Sequence, residues 1–216
     1  MSGGRAAAIK HGYTAGARSL AARSIGGLAR TRVTPNALTT TGVLLCAAAS
    51  VLVLFENHGD ILFYWLGAAT FVAGSVLDIL DGALARAGGK STPFGAFIDS
   101  TTDRVSEGFM LAAIAYLFAR HNRDVFVAVT MAAVAGSFLV SYTRARAEAL
   151  GLKGDVGLGS RAERVVLITA GLVFAPWGGL PWAIVALAAT AWLTVVQRVL
   201  HVRKQLSGGT SGSDQR

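Results

Sequence analysis

Long apolar stretches are the feature that most constrains this 216-residue chain. Each approaches the length of about 20 residues that an α-helix needs to cross the hydrocarbon core of a bilayer. They cover residues 36–56, 61–86, 92–120, 123–150, 160–176 and 180–201. Charged residues make up only 15% of the chain, against roughly 25% in soluble domains. The sequence therefore predicts an all-α integral membrane protein with six transmembrane helices.

The prolines support these boundaries. Pro35 and Pro93 open the first and third stretches, Pro176 closes the fifth, and Pro181 opens the sixth. Proline suits a first helical turn because its missing N–H would have no partner there. Thr92 is predicted to cap the helix that Pro93 begins.

The distribution of Lys and Arg predicts the orientation. Basic residues concentrate before the first stretch, in the second and fourth connections and after the sixth stretch, which places both termini in the cytoplasm. Arg120 and Arg123, in the third connection, are the exceptions. A net charge of +8 would suggest nucleic acid in a soluble protein. Here we expect the positive charge to lie in cytoplasmic loops and to interact with anionic lipid, with no nucleic-acid partner.

Three regions are predicted along the chain. Residues 1–33 should form a cytoplasmic tail and an interfacial amphipathic helix, in which Leu20 and Leu28 face lipid while Arg23 and Arg30 face headgroups. Residues 34–204 should form the membrane domain, and residues 205–216 a disordered tail. Cys46 is the single cysteine, so no intrachain disulfide is possible.

Four carboxylates at the ends of two predicted helices carry the strongest chemical signal. Asp78 and Asp81 are spaced i, i+3, and Asp99 and Asp103 are spaced i, i+4, so each pair shares one helix face. The short loop 87–91 makes these helices antiparallel neighbours. A charge in hydrocarbon costs at least about 2.5 kcal/mol, so the carboxylates need neutralising partners. The pattern predicts hard divalent cations, and two ions could clamp a transferring phosphate.

Residues around the aspartates fit a phosphate ester. Gly82 follows Asp78 by one turn, and Gly95 precedes Asp99 by one turn, so that a bulky ligand can approach both helices. Arg86, near the cytoplasmic end, suits a phosphate oxygen. A divalent-cation transporter is an alternative, since it would also need the carboxylates. It explains neither the glycines nor an arginine beside a cation path.

The spacing of these residues resembles the signature of the CDP-alcohol phosphatidyltransferase family. The matching positions are Asp78, Asp81, Gly82, Ala85, Arg86, Gly95, Asp99 and Asp103. The resemblance implies a homodimer in the cell membrane, with two Mg²⁺ ions (Mn²⁺ being possible) in each cytoplasmic active site. It also implies attack by an alcohol on the lipid-bearing phosphate of CDP-diacylglycerol, with release of CMP.

The same resemblance implies roles for individual residues. All four aspartates would be metal ligands, and Asp103 would also be the catalytic base. The residues that would contact the CDP-lipid are Thr34, Pro35, Asn36, Ala37, Gly82, Arg86 and Thr92.

A second basic cluster bears on the acceptor. Arg144, Arg161 and Arg198 come from three predicted helices at one depth, with Ser141 nearby. Positive-inside topology accounts for such residues, but together they could bind a phosphate dianion, which favours a phosphorylated acceptor.

The segments 141–148, 151–155 and 161–164 resemble the actinobacterial phosphatidylinositol phosphate synthases. This implies inositol phosphate (1D-myo-inositol 3-phosphate) as the acceptor, with Ser141, Arg144, Arg161 and Arg198 forming its pocket. A phosphatidylglycerophosphate synthase, which uses glycerol 3-phosphate, is the alternative enzyme.

Overall fold

The computed structural model describes residues 34–56, 61–87 and 92–210. Its regular elements are α1 (Pro35–Leu54), α2 (Ile61–Ala87), α3 (Pro93–Arg120), α4 (Asp124–Ala149), α5 (Arg161–Val173), a 3₁₀ turn (Ala175–Trp177) and α6 (Gly179–Thr210). The described residues contain no strand, which confirms the all-α prediction. The predicted interfacial helix and residues 211–216 of the predicted tail lie outside the described residues.

The six α-helices coincide with the six predicted stretches, but they differ in their capacity to cross a membrane. The length and apolar character of α1, α2, α4 and α6 suffice for a membrane span. The 13 residues of α5 extend about 20 Å, short of the about 30 Å of a hydrocarbon core. α3 carries four charged residues within its first 15 positions, namely Asp99, Asp103, Arg104 and Glu107. The chain is a multi-pass helical membrane protein.

The chain divides into two compact units. Unit 1 consists of Met1–Leu44 and Ala73–Asp103, and unit 2 of Leu45–Val72 and Arg104–Arg216. The described part of unit 1 therefore contains the start of α1, the second half of α2 and the start of α3, whereas unit 2 contains the remainder of the described helices.

Within unit 1, α1 and α2 approach closely where neither carries a side chain. A Cβ on Gly42 would lie 3.0 Å from the carbonyl oxygen of Gly74 and 3.5 Å from the Cβ of Asp78. The start of α3 is capped by Thr92, whose Oγ1 accepts a hydrogen bond from the Gly95 N–H at 2.9 Å. The predicted Thr92 cap is thereby confirmed.

Unit 2 contains the apolar core. Its fully buried side chains include Phe71, Met110, Ile114, Ile168 and Leu187. Lipid tails are as apolar as these side chains, so helices in a membrane associate through close contact and hydrogen bonds rather than through exclusion of water.

Glycines bring the helices of unit 2 into that close contact. A Cβ on Gly67 would lie 2.6 Å from Cγ2 of Val53, and one on Gly171 would lie 2.7 Å from the Cβ of Ala183. Both positions require a residue without a side chain, since a helix cannot move away from its neighbour without losing other contacts.

Arg120, one of the two exceptions to the charge rule, binds the end of α1. Its guanidinium donates to the carbonyl oxygens of Leu54 at 2.8 Å and Glu56 at 3.3 Å. The buried Glu56 carboxylate lies 3.1 Å from Nε2 of His121. Arg120 therefore supplies partners to carbonyls that the last turn of a helix leaves unsatisfied.

The connection between α4 and α5 packs along α6. The Gly159 N–H donates to Oγ1 of Thr194 at 2.8 Å. Farther along α6, Gln205 exchanges two hydrogen bonds with the Lys153 backbone, at 3.1 and 2.7 Å. α6 continues past the predicted domain end at residue 204 as far as Thr210, and the Gln205 bonds secure this extension.

Candidate active site

Three of the four predicted metal ligands converge within unit 1. One carboxylate oxygen from each of Asp78, Asp99 and Asp103 lies within 4.8 Å of the other two. Asp78 is buried, and the other two are partly exposed. Oxygens on opposite sides of one Mg²⁺ are about 4.2 Å apart, so small side-chain rotations would let the three share one ion. The donor set, entirely carboxylate, fits a hard divalent cation.

Asp81, the fourth predicted ligand, is not part of this group of three. It is 3% exposed, and its Oδ2 accepts a hydrogen bond from the Thr39 hydroxyl of α1. A buried carboxylate requires such a donor. The sequence analysis missed Thr39. The run Thr39–Thr41, polar within an apolar helix, is the signal that would have found it.

The predicted CDP-lipid contacts that the structure describes also lie in unit 1. Thr34 caps α1, because its Oγ1 accepts a hydrogen bond from the Ala37 N–H at 3.3 Å. Thr92 caps α3 through the bond from Gly95 described above. Asn36 and Ala37 are exposed at the start of α1, and Gly82 is partly exposed on α2. The side chains of Pro35 and Arg86 lie outside the described part of the structure.

The predicted acceptor residues all lie in unit 2, and the structure resolves hydrogen bonds of Arg198 and Arg144 to other protein groups. Arg198 is buried, and its guanidinium donates to the carbonyl oxygens of Val156, at 2.9 Å, and Val140. Nε of Arg144 lies 2.8 Å from Oε1 of Glu148, and both side chains are more than half exposed.

Arg198 therefore links α4 to the α4–α5 connection, a structural role that its sequence position did not predict. Ser141 donates to the carbonyl of Ser137 at a long 3.4 Å. Arg161 is the first residue of α5 and is partly exposed. The four predicted residues are thus distributed among a buried link, an exposed ion pair and two partly exposed positions.

A buried ion pair in unit 2 was also missed. Arg164 donates to Glu107 through Nε at 2.7 Å and Nη2 at 2.8 Å, and through Nη1 to the Gly159 carbonyl at 2.8 Å. Arg164 ends the segment 161–164 that carries part of the family resemblance, but the sequence predicted no partner for it. Glu107, an acid one turn after Asp103 in an apolar stretch, was the available signal.

The fold and these residues define a helical membrane protein whose converging carboxylates suit a divalent cation. The sequence pattern of the CDP-alcohol phosphatidyltransferase family matches residues 32–200, which include every predicted site residue. The chain belongs to this family and is an enzyme of that class.

Relatives from two domains of life match most of the chain. The phosphatidylinositol phosphate synthase of Mycobacteroides abscessus is 35% identical, over 82% of this chain and 80% of the relative. The archaetidylinositol phosphate synthase of Pyrococcus horikoshii is 37% identical, over 84% of this chain and 90% of the relative.

Crystal structures of the Mycobacterium tuberculosis phosphatidylinositol phosphate synthase share the fold. The form with CDP-DAG bound has a TM-score of 0.73 and 33% identity, covering 85% of this chain and 94% of that one. The form in complex with manganese and citrate has a TM-score of 0.74 and 32% identity, covering 84% and 88%.

Proposed function

We propose that this protein transfers the phosphatidyl group of CDP-diacylglycerol to a hydroxyl of 1D-myo-inositol 3-phosphate, giving phosphatidylinositol phosphate and CMP. The observation that carries this proposal is the convergence of Asp78, Asp99 and Asp103 within 4.8 Å on the helices that hold the family signature. The relatives from bacteria and archaea differ in the lipid that their names specify, yet both names specify inositol phosphate. This agreement favours the same acceptor here.

The four aspartates would hold two divalent ions, Mg²⁺ or Mn²⁺. The manganese complex of the Mycobacterium tuberculosis relative supports this assignment. Asp81 would join the other three by turning from the Thr39 hydroxyl, because both residues lie in unit 1. When bound, the ions would neutralise the pyrophosphate of the donor and stabilise the departing CMP.

Asp103 is proposed as the base for the acceptor hydroxyl. It is partly exposed, as a group that must reach a substrate has to be. It would take the hydroxyl proton as the alcohol oxygen bonds to the lipid-bearing phosphorus. The bond from this phosphorus to the bridging oxygen then breaks, and that oxygen leaves with CMP. The donor would be held by the residues at the starts of α1 and α3 and near the end of α2, namely Thr34, Pro35, Asn36, Ala37, Gly82, Arg86 and Thr92.

The acceptor phosphate is proposed to bind Ser141, Arg144, Arg161 and Arg198. A guanidinium carries five N–H donors, so the two backbone bonds of Arg198 leave donors for a phosphate. Arg144 would exchange its exposed partner Glu148 for the ligand, at little cost because exposed ion pairs contribute about 0–1 kcal/mol.

In the membrane, we propose six spans with both termini and the active site on the cytoplasmic side. α3 would cross with its charged first half toward the cytoplasm, and α5 would cross together with the 3₁₀ turn that follows it. Residues 1–33 would supply the interfacial helix. The subunits would form a homodimer, for which exposed aromatic side chains of α3, such as Phe94 and Phe109, offer apolar surface.

The test is CMP release from CDP-diacylglycerol in lipid nanodiscs, with inositol phosphate, glycerol 3-phosphate or free inositol as acceptor. We expect turnover with inositol phosphate, its loss with EDTA, and its return with Mg²⁺ or Mn²⁺. Turnover with glycerol 3-phosphate alone would identify a phosphatidylglycerophosphate synthase. Metal uptake into proteoliposomes without CMP release would identify a transporter.

A further inference from the structure

A cavity of about 590 Å³ lies beside the C-terminal part of α6. None of its lining residues is a predicted site residue, although the carbonyl of Val156 accepts a hydrogen bond from Arg198. Its walls are Val156, Gly157 and Leu158 from the α4–α5 connection, and Gln197, Leu200, His201 and Lys204 from α6. All seven belong to unit 2.

Hydrogen bonds between the α4–α5 connection and α6 hold the two walls of this cavity in place. Gln197, His201 and Lys204 follow one another at helical spacing, so they share one face of α6. The α4–α5 connection binds α6 through Thr194, which accepts from the Gly159 N–H, and through Arg198, which donates to the Val156 carbonyl. These hydrogen bonds therefore fix the shape of the cavity.

The polar wall of the cavity is suited to a ligand that carries both a negative charge and a hydroxyl group. Lys204 supplies a positive charge and His201 a ring nitrogen. Oε1 of Gln197 is buried and has no hydrogen-bond partner among the described residues. A buried acceptor without a partner destabilises the protein, and a hydrogen bond from a ligand hydroxyl would relieve this cost.

The apolar wall of the cavity and the position of the cavity along α6 indicate that the ligand is a lipid. Leu158 and Leu200 are 59% and 57% exposed beside the polar groups. The 32 residues of α6 extend about 48 Å, beyond the about 30 Å of a hydrocarbon core. Because the charged and amide side chains of α6 begin only at Gln197, after a mostly apolar run that starts at Gly179, Lys204 lies at headgroup level.

We propose that this cavity binds an anionic phospholipid with a hydroxyl-bearing headgroup, as a lipid separate from the substrates. The phosphate would contact Lys204 and His201, the headgroup hydroxyl would donate to Gln197, and an acyl chain would lie against Leu158 and Leu200. The +8 charge of the chain complements such a lipid.

The test is native mass spectrometry of the detergent-solubilised protein with three lipids of equal chain length: phosphatidylglycerol, phosphatidic acid and phosphatidylcholine. We expect phosphatidylglycerol to bind roughly tenfold more tightly than phosphatidylcholine, because the quaternary ammonium of choline cancels the negative charge of the headgroup beside Lys204 and choline has no hydroxyl. Lys204→Gln should remove most of that preference. Gln197→Leu should remove the preference for phosphatidylglycerol over phosphatidic acid and weaken that over phosphatidylcholine, because neither of these lipids has a headgroup alcohol.

Arg203→Gln is the matched control, because Arg203 is exposed on the adjacent position and does not line the cavity. It should leave all three affinities unchanged. An equal loss in Arg203→Gln and Lys204→Gln would overturn the proposal in favour of general surface charge. Displacement of the lipid by glycerol 3-phosphate or inorganic phosphate would overturn it in favour of a free-anion site.

Folding is checked by the melting temperature of each variant without added lipid. If Lys204→Gln folds poorly, His201→Gln against the same control gives the equivalent test. CMP release in detergent, with no anionic lipid other than the CDP-diacylglycerol substrate, should be unchanged in all variants, so failure of the lipid site and failure of the proposed transferase activity are distinguishable.

Discussion

The Arg164 side chain of α5 and the Glu107 side chain of α3 form a bidentate ion pair in which both side chains are about 95% buried, with N–O distances of 2.7 and 2.8 Å. The third donor of Arg164 binds the Gly159 carbonyl at 2.8 Å. One guanidinium therefore fixes the start of α5 and the end of the α4–α5 connection to α3.

Removing one charge of this pair should destabilise the protein strongly. We expect Glu107→Gln to lower the free energy of unfolding by about 3–5 kcal/mol, because Arg164 is left buried without its counter-charge. Glu148→Gln is the matched control, since its ion pair with Arg144 is exposed and should contribute less than about 1 kcal/mol. Thermal unfolding in detergent measures both.

The double variant Glu107→Leu/Arg164→Leu separates charge imbalance from packing. It should recover most of the stability that Glu107→Gln loses, because an apolar pair carries no buried charge. If Glu107→Gln unfolds at the wild-type temperature, the ion pair is not the constraint described here.

Asp103→Asn should abolish turnover while leaving donor binding largely intact. An amide cannot accept the proton of the acceptor hydroxyl, and general-base catalysis typically contributes about 10²–10⁴-fold in rate. CMP release gives the rate, and retention of CDP-diacylglycerol by the purified variant gives the binding. Asp124→Asn, an exposed change at the start of α4, should leave both unchanged. Turnover by Asp103→Asn at the wild-type rate would remove Asp103 from the role of base.

Gly157→Ala should destabilise the α4–α5 connection more than Gly151→Ala does. Both glycines have a positive φ, +112° and +73°, which costs another residue roughly 1–2 kcal/mol. Only at Gly157 would the new Cβ clash, 2.4 Å from Cγ2 of Thr194, whereas Gly151 has open space. Overpacking adds about 1–3 kcal/mol. Equal melting temperatures of the two variants would contradict the observed packing on α6.

Arg120→Met should be less stable than Arg123→Met, although both remove one positive charge from the same connection. Only Arg120 has carbonyl partners at the end of α1 among the hydrogen bonds described, at 2.8 and 3.3 Å. We expect the free energy of unfolding to fall by about 1–2 kcal/mol. This is near the lower end of the range for hydrogen bonds to a charged group, because Arg120 is exposed. Comparison of the two melting temperatures checks this, and a reversed order would mean that net charge, not capping, decides.

Local pattern predicted the helices and the metal-ligand candidates because both depend on spacing along one chain. The Thr92 cap and the convergence of Asp78, Asp99 and Asp103 follow from helix geometry and one short loop. The partners of Arg164 and Arg198 are 57 and 42 residues away in the sequence, so no local pattern could identify them.

The amino-acid sequence by itself determined that this chain is an all-helical membrane protein with acidic residues on two neighbouring helices. Apolar length and helical period are sufficient for that inference. Only the tertiary structure decided that the Asp81 carboxylate accepts a hydrogen bond from Thr39 of α1, and that Arg198 holds the α4–α5 connection. The physical reason is that a buried charge takes whichever polar partner the packing of distant segments brings within reach.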